Sequence, residues 1–328
     1  MSSTQLASLI QAAVVFGTVI MYGAIGEIIT EKSGNLNLGV PGIMYLGGIA
    51  GLAVSFLYEN AAADPNRAVC LLLSFGAAFL AAALGGLIFA ILTITLRVNQ
   101  NVTGLTLTIF GGGVANFFGG SLNKLAGGVG QISVACTSGV YRSTLPGVSS
   151  MGPLMKAVFG YGFMVYLAII LAIAATWFLN RTHTGLNLRA VGESPATADA
   201  AGINVTRYKY LATCIGAGIS GLGGLYYVMD YIKGTWANDG AIEQLGWLAV
   251  ALVIFALWKP VNSIWGSYLF GVLFWLYYYI QGLNRASQEI FKMLPYLVTI
   301  AVLVIVSIRR KRDLGPASLG LSYFREER

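Results

Sequence analysis

Charge is scarce in this chain: Asp, Glu, Lys and Arg make up 10% of its 328 residues, against about a quarter in soluble domains. So few charges cannot clothe a water-facing surface, and 56% hydrophobic residues with a mean hydropathy of +0.73 put the chain in lipid. Histidine is all but missing. His183 stands alone in a polar stretch, which excludes an HExxH zinc site and a serine–histidine pair at membrane depth. The three cysteines, Cys70, Cys136 and Cys214, have no CxxC spacing, and no metal site is readable. No G-x-x-x-x-G-K-[ST] phosphate loop occurs; the glycine clusters at 111–113 and 127–130 lack its lysine and read as packing and loop glycines. No catalytic residue, cofactor or metal is therefore expected. The amino terminus lacks the basic segment and small-residue cleavage site of a secretory signal, so its first apolar run is expected to be retained as a span.

What the chain has is apolar length and glycine. Windows of membrane-spanning length fall at 6–29, 43–58, 69–96, 102–119, 158–179, 210–232, 241–257, 261–283 and 293–308. The expected fold class is thus all-α, a polytopic bundle of about nine transmembrane helices. The stretches 35–42 and 240–257 are the weakest as continuous helices, and broken or re-entrant geometry is expected there. Such backbone is tolerated at depth only inside protein or along a cavity. The 42 glycines imply close helix packing, because lipid offers no hydrophobic force to drive helices together.

A net charge of +7 does not mark a nucleic-acid partner here, since the cations are scattered between apolar runs and gathered at their ends. They mark topology. The cationic run at 309–312 closes the last window and belongs in the cytoplasm. Counting back through nine crossings puts 181–209 inside, 121–156 outside and the amino terminus outside. Lys32, Arg97, Arg181, Arg189, Arg207, Lys209, Lys259, the 309–312 run, Arg325 and Arg328, 13 of the 20 Lys and Arg, then fall inside.

The most informative internal stretch is 185–205, Gly-Leu-Asn-Leu-Arg-Ala-Val-Gly-Glu-Ser-Pro-Ala-Thr-Ala-Asp-Ala-Ala-Gly-Ile-Asn-Val. Ser194 suits an N-cap, Pro195 the first helical position and Gly202 the left-handed stop, which predicts about two helical turns between two spans. On physics alone the segment is either a well-capped connector or a docking helix presenting Arg189, Glu193 and Asp199 around a small, alanine-rich surface.

Together with Gly-Glu-Ile-Ile-Thr-Glu-Lys-Ser-Gly-Asn-Leu-Asn-Leu-Gly-Val-Pro-Gly at 26–42, that stretch resembles the bacterial permeases serving ribose, branched-chain amino acids and nucleosides. The likeness covers nearly the whole chain. Residues 31–40 and 248–260 are most similar to the nucleoside and simple-sugar branch. Where that branch commonly has an acid this chain has Pro41, so a substrate contact by that acid is not carried over. The resemblance implies an inner-membrane permease of an ABC importer, with 1–308 as the transmembrane domain and 309–328 as a cytoplasmic tail. It implies that Arg189, Glu193, Ser194, Pro195, Asp199 and Gly202 form a coupling helix seated on a separate ATP-binding subunit. It also implies a second, non-identical permease and an external substrate-binding protein beside the membrane lipid.

For a solute path the polar groups at plausible depth are Asn35, Asn37, Gly39, Asn101, Thr103, Asn116 and Gln281; singly, each reads equally well as interhelical glue. The aromatic run from Trp265 to Tyr279 reads first as interfacial anchoring, with base stacking as the alternative. Glu27 and Asp230 are expected to reach interfacial water near span ends. A secondary transporter is disfavoured because no deeply placed carboxylate pair is apparent for ion coupling.

Overall fold

The computed structural model describes residues 3–125, 132–144, 148, 152–280, 282, 284–308 and 315–324. Gln281, the cationic run at 309–312 and the glycines at 127–130 lie outside these residues. Six helices are long and apolar enough to cross a membrane. They are α1 (Ser3–Glu31), α2 (Val40–Ala61), α3 (Arg67–Ala90, prolonged by a wide turn Ile91–Thr95), α4 (Gln100–Leu125), α7 (Phe163–Arg181) and α10 (Val205–Tyr226, prolonged through Tyr231). Between them lie the short α5 (Ala135–Tyr141), α6 (Pro153–Phe159), α8 (His183–Glu193) and α9 (Pro195–Ala200); α11 (Ala241–Phe255), α12 (Pro260–Trp275), α13 (Arg285–Lys292) and α14 (Leu294–Ile308) follow.

The last three expected spans are the ones that fall short, so the expected count of nine rests on helices of 15, 16 and 15 residues. Fifteen residues reach only about 22 Å, against a hydrocarbon core of about 30 Å. Two local causes are visible. α11 is stopped by consecutive left-handed residues, Leu257 and Trp258, and α12 tightens into a 3-10 turn at Leu276–Tyr279.

α1 and α10 form the centre, each 83% buried over its most apolar window, whereas α3, α4 and α7 are 33–39% buried and form the periphery. The centre is dense because glycines let backbones touch. A Cβ on Gly47 of α2 would lie 2.5 Å from the Gly221 Cα of α10, and one on Gly111 of α4 would lie 2.6 Å from the Gly42 carbonyl carbon of α2. The expected small-residue packing is thus realised at named crossings. Hydrogen bonds across the seams add to it: Ser220 Oγ donates to the Gly23 carbonyl at 3.1 Å and Tyr22 OH to the Met164 carbonyl at 2.8 Å. The aromatic run divides. Phe270 and Phe274 turn inward, Phe274 stacking on Phe16 at 4.3 Å, while Trp265 and Tyr278 stand outward as anchors.

Residues 32–39 are the irregular stretch the sequence marked, and they are buried rather than looped into solvent. Buried backbone must find partners, and here side chains supply them. Leu36 N donates to Gln100 Oε1 at 2.6 Å, Asn37 N to Glu27 Oε1 at 3.0 Å and Gly39 N to Asn37 Oδ1 at 2.9 Å; Thr108 Oγ1 donates to the Leu38 carbonyl at 3.2 Å. Trp258 Nε1 donates to Glu31 Oε2 and so ties the end of α11 to the end of α1.

Two expectations fail at this point. Glu27 does not reach interfacial water: it is 1% exposed, and Glu31, one turn away, is 3% exposed. A buried carboxylate pair therefore exists at the end of α1. Each acid has its own donor: Glu27 accepts the Asn37 amide of the inward-folded stretch, and Glu31 accepts the Trp258 indole at the end of α11. Asp230 is half-buried at the end of α10.

At the opposite end, Glu59 at the foot of α2 caps α5, accepting from Thr137 N at 2.7 Å, Thr137 Oγ1 at 2.6 Å and Cys136 N at 3.3 Å. A grouping invisible in the spacing appears here, because the Cys70 and Cys136 sulfurs and a Glu59 oxygen lie within 4.8 Å of one another. Both thiols are free. Burial, then the adjoining Cys70, pushes the Cys136 thiol above its ordinary pKa, which favours the neutral thiol. The cap accounts for Glu59.

Candidate functional site

α8 and α9 join two spans, α7 and α10, and each end of the pair is chemically defined. Thr182 Oγ1 accepts from Gly185 N at 3.0 Å and starts α8. Ser194 starts α9, its Oγ accepting from Thr197 N at 3.4 Å, with Pro195 in the first turn. Gly202 has φ +82°. Ile203 N donates to the Ala198 carbonyl and Gly202 N to the Asp199 carbonyl, both at 3.0 Å, the paired bonds of a Schellman stop. A Cβ on Gly202 would meet nothing within 4 Å, so the demand for glycine is purely conformational. Replacing it with Val should cost about 1–2 kcal/mol of left-handed strain, read as a lowered melting temperature of the purified chain, while Asn should be tolerated. Equal melting of the Val variant and the unaltered protein would show that the stop carries no strain.

The faces of α9 are less simple than its ends. Ala198 is 3% exposed and packs with Val191 and Val205, with Ile203, Tyr208 and Tyr323 around them. The alanine-rich surface expected from the sequence therefore excludes Ala198, because the inward side of a two-turn helix must also be small. Its exposed side is Ala196, Thr197 and Ala200.

The charged residues of the segment each hold a protein partner, although Arg189 and Glu193 also stand exposed. Arg189 Nη1 donates to Asn180 Oδ1 at 3.1 Å on α7. Glu193 Oε2 accepts from Ala317 N at 3.2 Å, and Asp199 Oδ2 accepts from Tyr323 OH at 2.9 Å. These last two partners belong to residues 315–324, which return across α8 and α9. Ser318 donates to the Gly192 carbonyl through N at 3.0 Å and Oγ at 2.5 Å, and Gly320 N donates to the Gly34 carbonyl at 3.1 Å. Hydropathy does not mark this covering segment. Its signal was a stretch without charge, Gly-Pro-Ala-Ser-Leu-Gly-Leu-Ser-Tyr-Phe, set between two charged runs.

The path candidates fall into two groups, one where the 35–39 stretch packs against α4 at Gly104 and one on the outer side of α4. Asn35, Asn37 and Gly39 belong to the buried stretch, and Asn35 Nδ2 donates to Thr213 Oγ1 at 3.0 Å. Thr103 is buried, its hydroxyl bound to the Asn99 carbonyl at 2.8 Å. Asn101 and Asn116 instead stand on the exposed side of α4 with Leu105, Thr106, Ile109 and Phe117. Fifteen residues separate the two asparagines, about 22 Å along the helix.

Comparison with known proteins fits this architecture. Residues 9–303 match the model of the family described as branched-chain amino acid transport system, permease component. A putative glucose ABC transporter permease of Haloferax volcanii is 34% identical, with 98% of each chain covered. A nucleoside ABC transporter permease of Lactococcus lactis is 29% identical with 95% of each covered, and a guanosine ABC transporter permease of Bacillus subtilis is 29% identical with 98% of each covered. No solved structure matches the chain. With Glu27 holding the buried loop and Glu31 the Trp258 indole, it is this match over nearly the whole chain that decides between an importer subunit and an ion-coupled transporter: the chain belongs to the family of branched-chain amino acid transport system permease components.

Proposed function

We propose that the chain is the permease subunit of a binding-protein-dependent ABC importer and carries a nucleoside across the inner membrane. The observation that carries this reading is α9, a helix capped at both ends, held between two spans and showing a small-residue face to a partner. An ATP-binding subunit seats that face and performs the hydrolysis, and the permease itself catalyses nothing. A substrate-binding protein delivers solute at the opposite end, beside α5. The nucleoside assignment draws on the two relatives named for nucleoside and guanosine transport. A simple sugar is the second reading, favoured by the 34% identity to the putative glucose permease.

A second, non-identical permease packs against the exposed side of α4, because Asn101, Thr106 and Asn116 are costly against lipid and usually face a bundle interior. The solute then passes between the two chains. Proteoliposomes containing both permeases and the ATP-binding subunit, with the binding protein added, should take up labelled guanosine when ATP is present. Uptake of glucose instead would replace the first reading with the second, and uptake without ATP would overturn both.

Orientation has its own test. Lys32, Arg189 and Lys259 share one cavity and Arg97, Arg207 and Lys209 another, both beside the α8–α9 pair, so the charge bias predicts that this end is cytoplasmic, the N-terminus external and the C-terminal tail internal. Ser138 is unsuitable as an external reporter since it is 3% exposed, but Ser143 is exposed. In intact cells an impermeant thiol reagent should label Ser143→Cys and spare Thr197→Cys. The opposite pattern inverts the topology.

A further inference from the structure

A cavity of about 840 Å³ opens beside α9, walled by the end of α3, the start of α4, the first turns of α10 and the covering segment. Lys209 lines it. Its side chain is 3% exposed and makes no hydrogen bond or ion pair among the described residues. The residue is thus largely withdrawn from water while it lines the cavity, and a cation so placed favours a negative partner there. Arg97 and Arg207 line the same cavity, both exposed, with Arg97 lying over the Phe324 ring at 4.5 Å. Asn35 lines it as well, and its Oδ1 is buried without a partner. The acid present, Asp199, is engaged by Tyr323 OH. The cavity also takes in the amino-terminal turn of α10, whose helix dipole favours a negative group even though the Asn204 cap takes the Arg207 amide.

On the membrane side the cavity is continuous with apolar surface. Leu211 lines it and is 50% exposed, and Ile215, one turn deeper on the same face of α10, is 47% exposed. Along α3, Ile94 lines the cavity while Ile91 and Ile88, each three residues deeper, are 42% and 46% exposed. Lys209 itself lies about 6 Å along α10 from Val205, the depth of a headgroup at a span end. A basic pocket between helices that runs into apolar grooves suits an anionic lipid.

We propose that this cavity binds the phosphate of an anionic glycerophospholipid, with Lys209 as its buried counter-charge and the acyl chains lying along Leu211–Ile215 and Ile88–Ile91. The ligand holds the first turn of α10, and through the Gly202 stop it holds α9. The lipid's leaflet rests on the orientation proposed above; the cavity's chemistry does not.

The test is native mass spectrometry of the permease released from nanodiscs of phosphatidylglycerol and phosphatidylcholine, beside melting curves in each lipid alone. The unaltered chain should retain phosphatidylglycerol selectively and melt higher in it. Lys209→Met fills the same space without charge, and should reduce retention roughly fivefold or more, the worth of one cation at an anionic surface, while folding normally in phosphatidylcholine. Arg207→Gln, on an exposed side chain, should reduce it less. Equal retention by the unaltered chain and Lys209→Met overturns the proposal. So does stabilisation by inorganic phosphate in phosphatidylcholine that Lys209→Met abolishes, since the site would then take its anion from solution. Neither measurement depends on the leaflet, so failure leaves the coupling and orientation readings to their own experiments.

Discussion

Arginine at both Ala196 and Ala200 should abolish uptake while leaving the chain in the membrane at normal abundance. Both positions are on the exposed face of α9, where substitutions away from special features change stability by less than about 0.5 kcal/mol. A partner seated against a methyl-sized surface cannot accept two guanidinium side chains, so the ATP-binding subunit should fail to co-purify and uptake should fall more than about tenfold, the equivalent of 1.4 kcal/mol of lost association. Ala198→Arg supplies the contrast. That side chain points into the cluster with Val191 and Val205, so a charge there should lower abundance before coupling is reached. Should the Ala196/Ala200 pair keep both its partner and its uptake, α9 is a connector and the proposed docking fails.

The second large effect is expected far from that surface. Gly47→Leu sets a side chain where the backbones of α2 and α10 already touch, with the Gly221 Cα 2.5 Å from the new Cβ. Neither helix can yield without moving the central pair, because α10 is 83% buried along its window. Overpacking of this kind costs about 3 kcal/mol or more, so membrane abundance and melting temperature should both drop sharply. Gly76→Leu is the control, since nothing lies within 4 Å of its Cβ position. If Gly47→Leu behaves like Gly76→Leu, the α2–α10 contact does not hold the bundle together.

The ends of α9 were legible in the sequence because caps are local: Ser194, Pro195 and Gly202 act within three residues of their own positions. Its faces were not, because which alanine turns inward depends on Tyr208 and Tyr323 arriving from elsewhere. The same division runs through the membrane region. Hydropathy located α1, α2 and α10 and broke at the left-handed pair Leu257–Trp258, but it reads apolar content and not backbone direction, so the tightened turn after Trp275 passed as continuous span. Asn35 and Asn37 show a further limit. A side chain buried to satisfy a folded-in loop and one facing a solute path have the same composition. The structure adds what each one holds, Thr213 in one case and the Gly39 amide in the other. Glu27 was misplaced for that reason too, its acceptor role being set by an amide ten residues on.

The covering segment also has a consequence in time. Residue 315 leaves the ribosome more than a hundred residues after α9, which at about 5–20 residues per second is an interval of roughly 6–25 s. Throughout that interval the Gly192 carbonyl, the Glu193 carboxylate and the Asp199 carboxylate lack the Ser318, Ala317 and Tyr323 donors that hold them in the finished chain. The early helices are in the bilayer while the surface beside α9 is still incomplete. If the ATP-binding subunit docks on α9 as proposed and recognises the finished surface, its assembly is deferred until translation has passed residue 324.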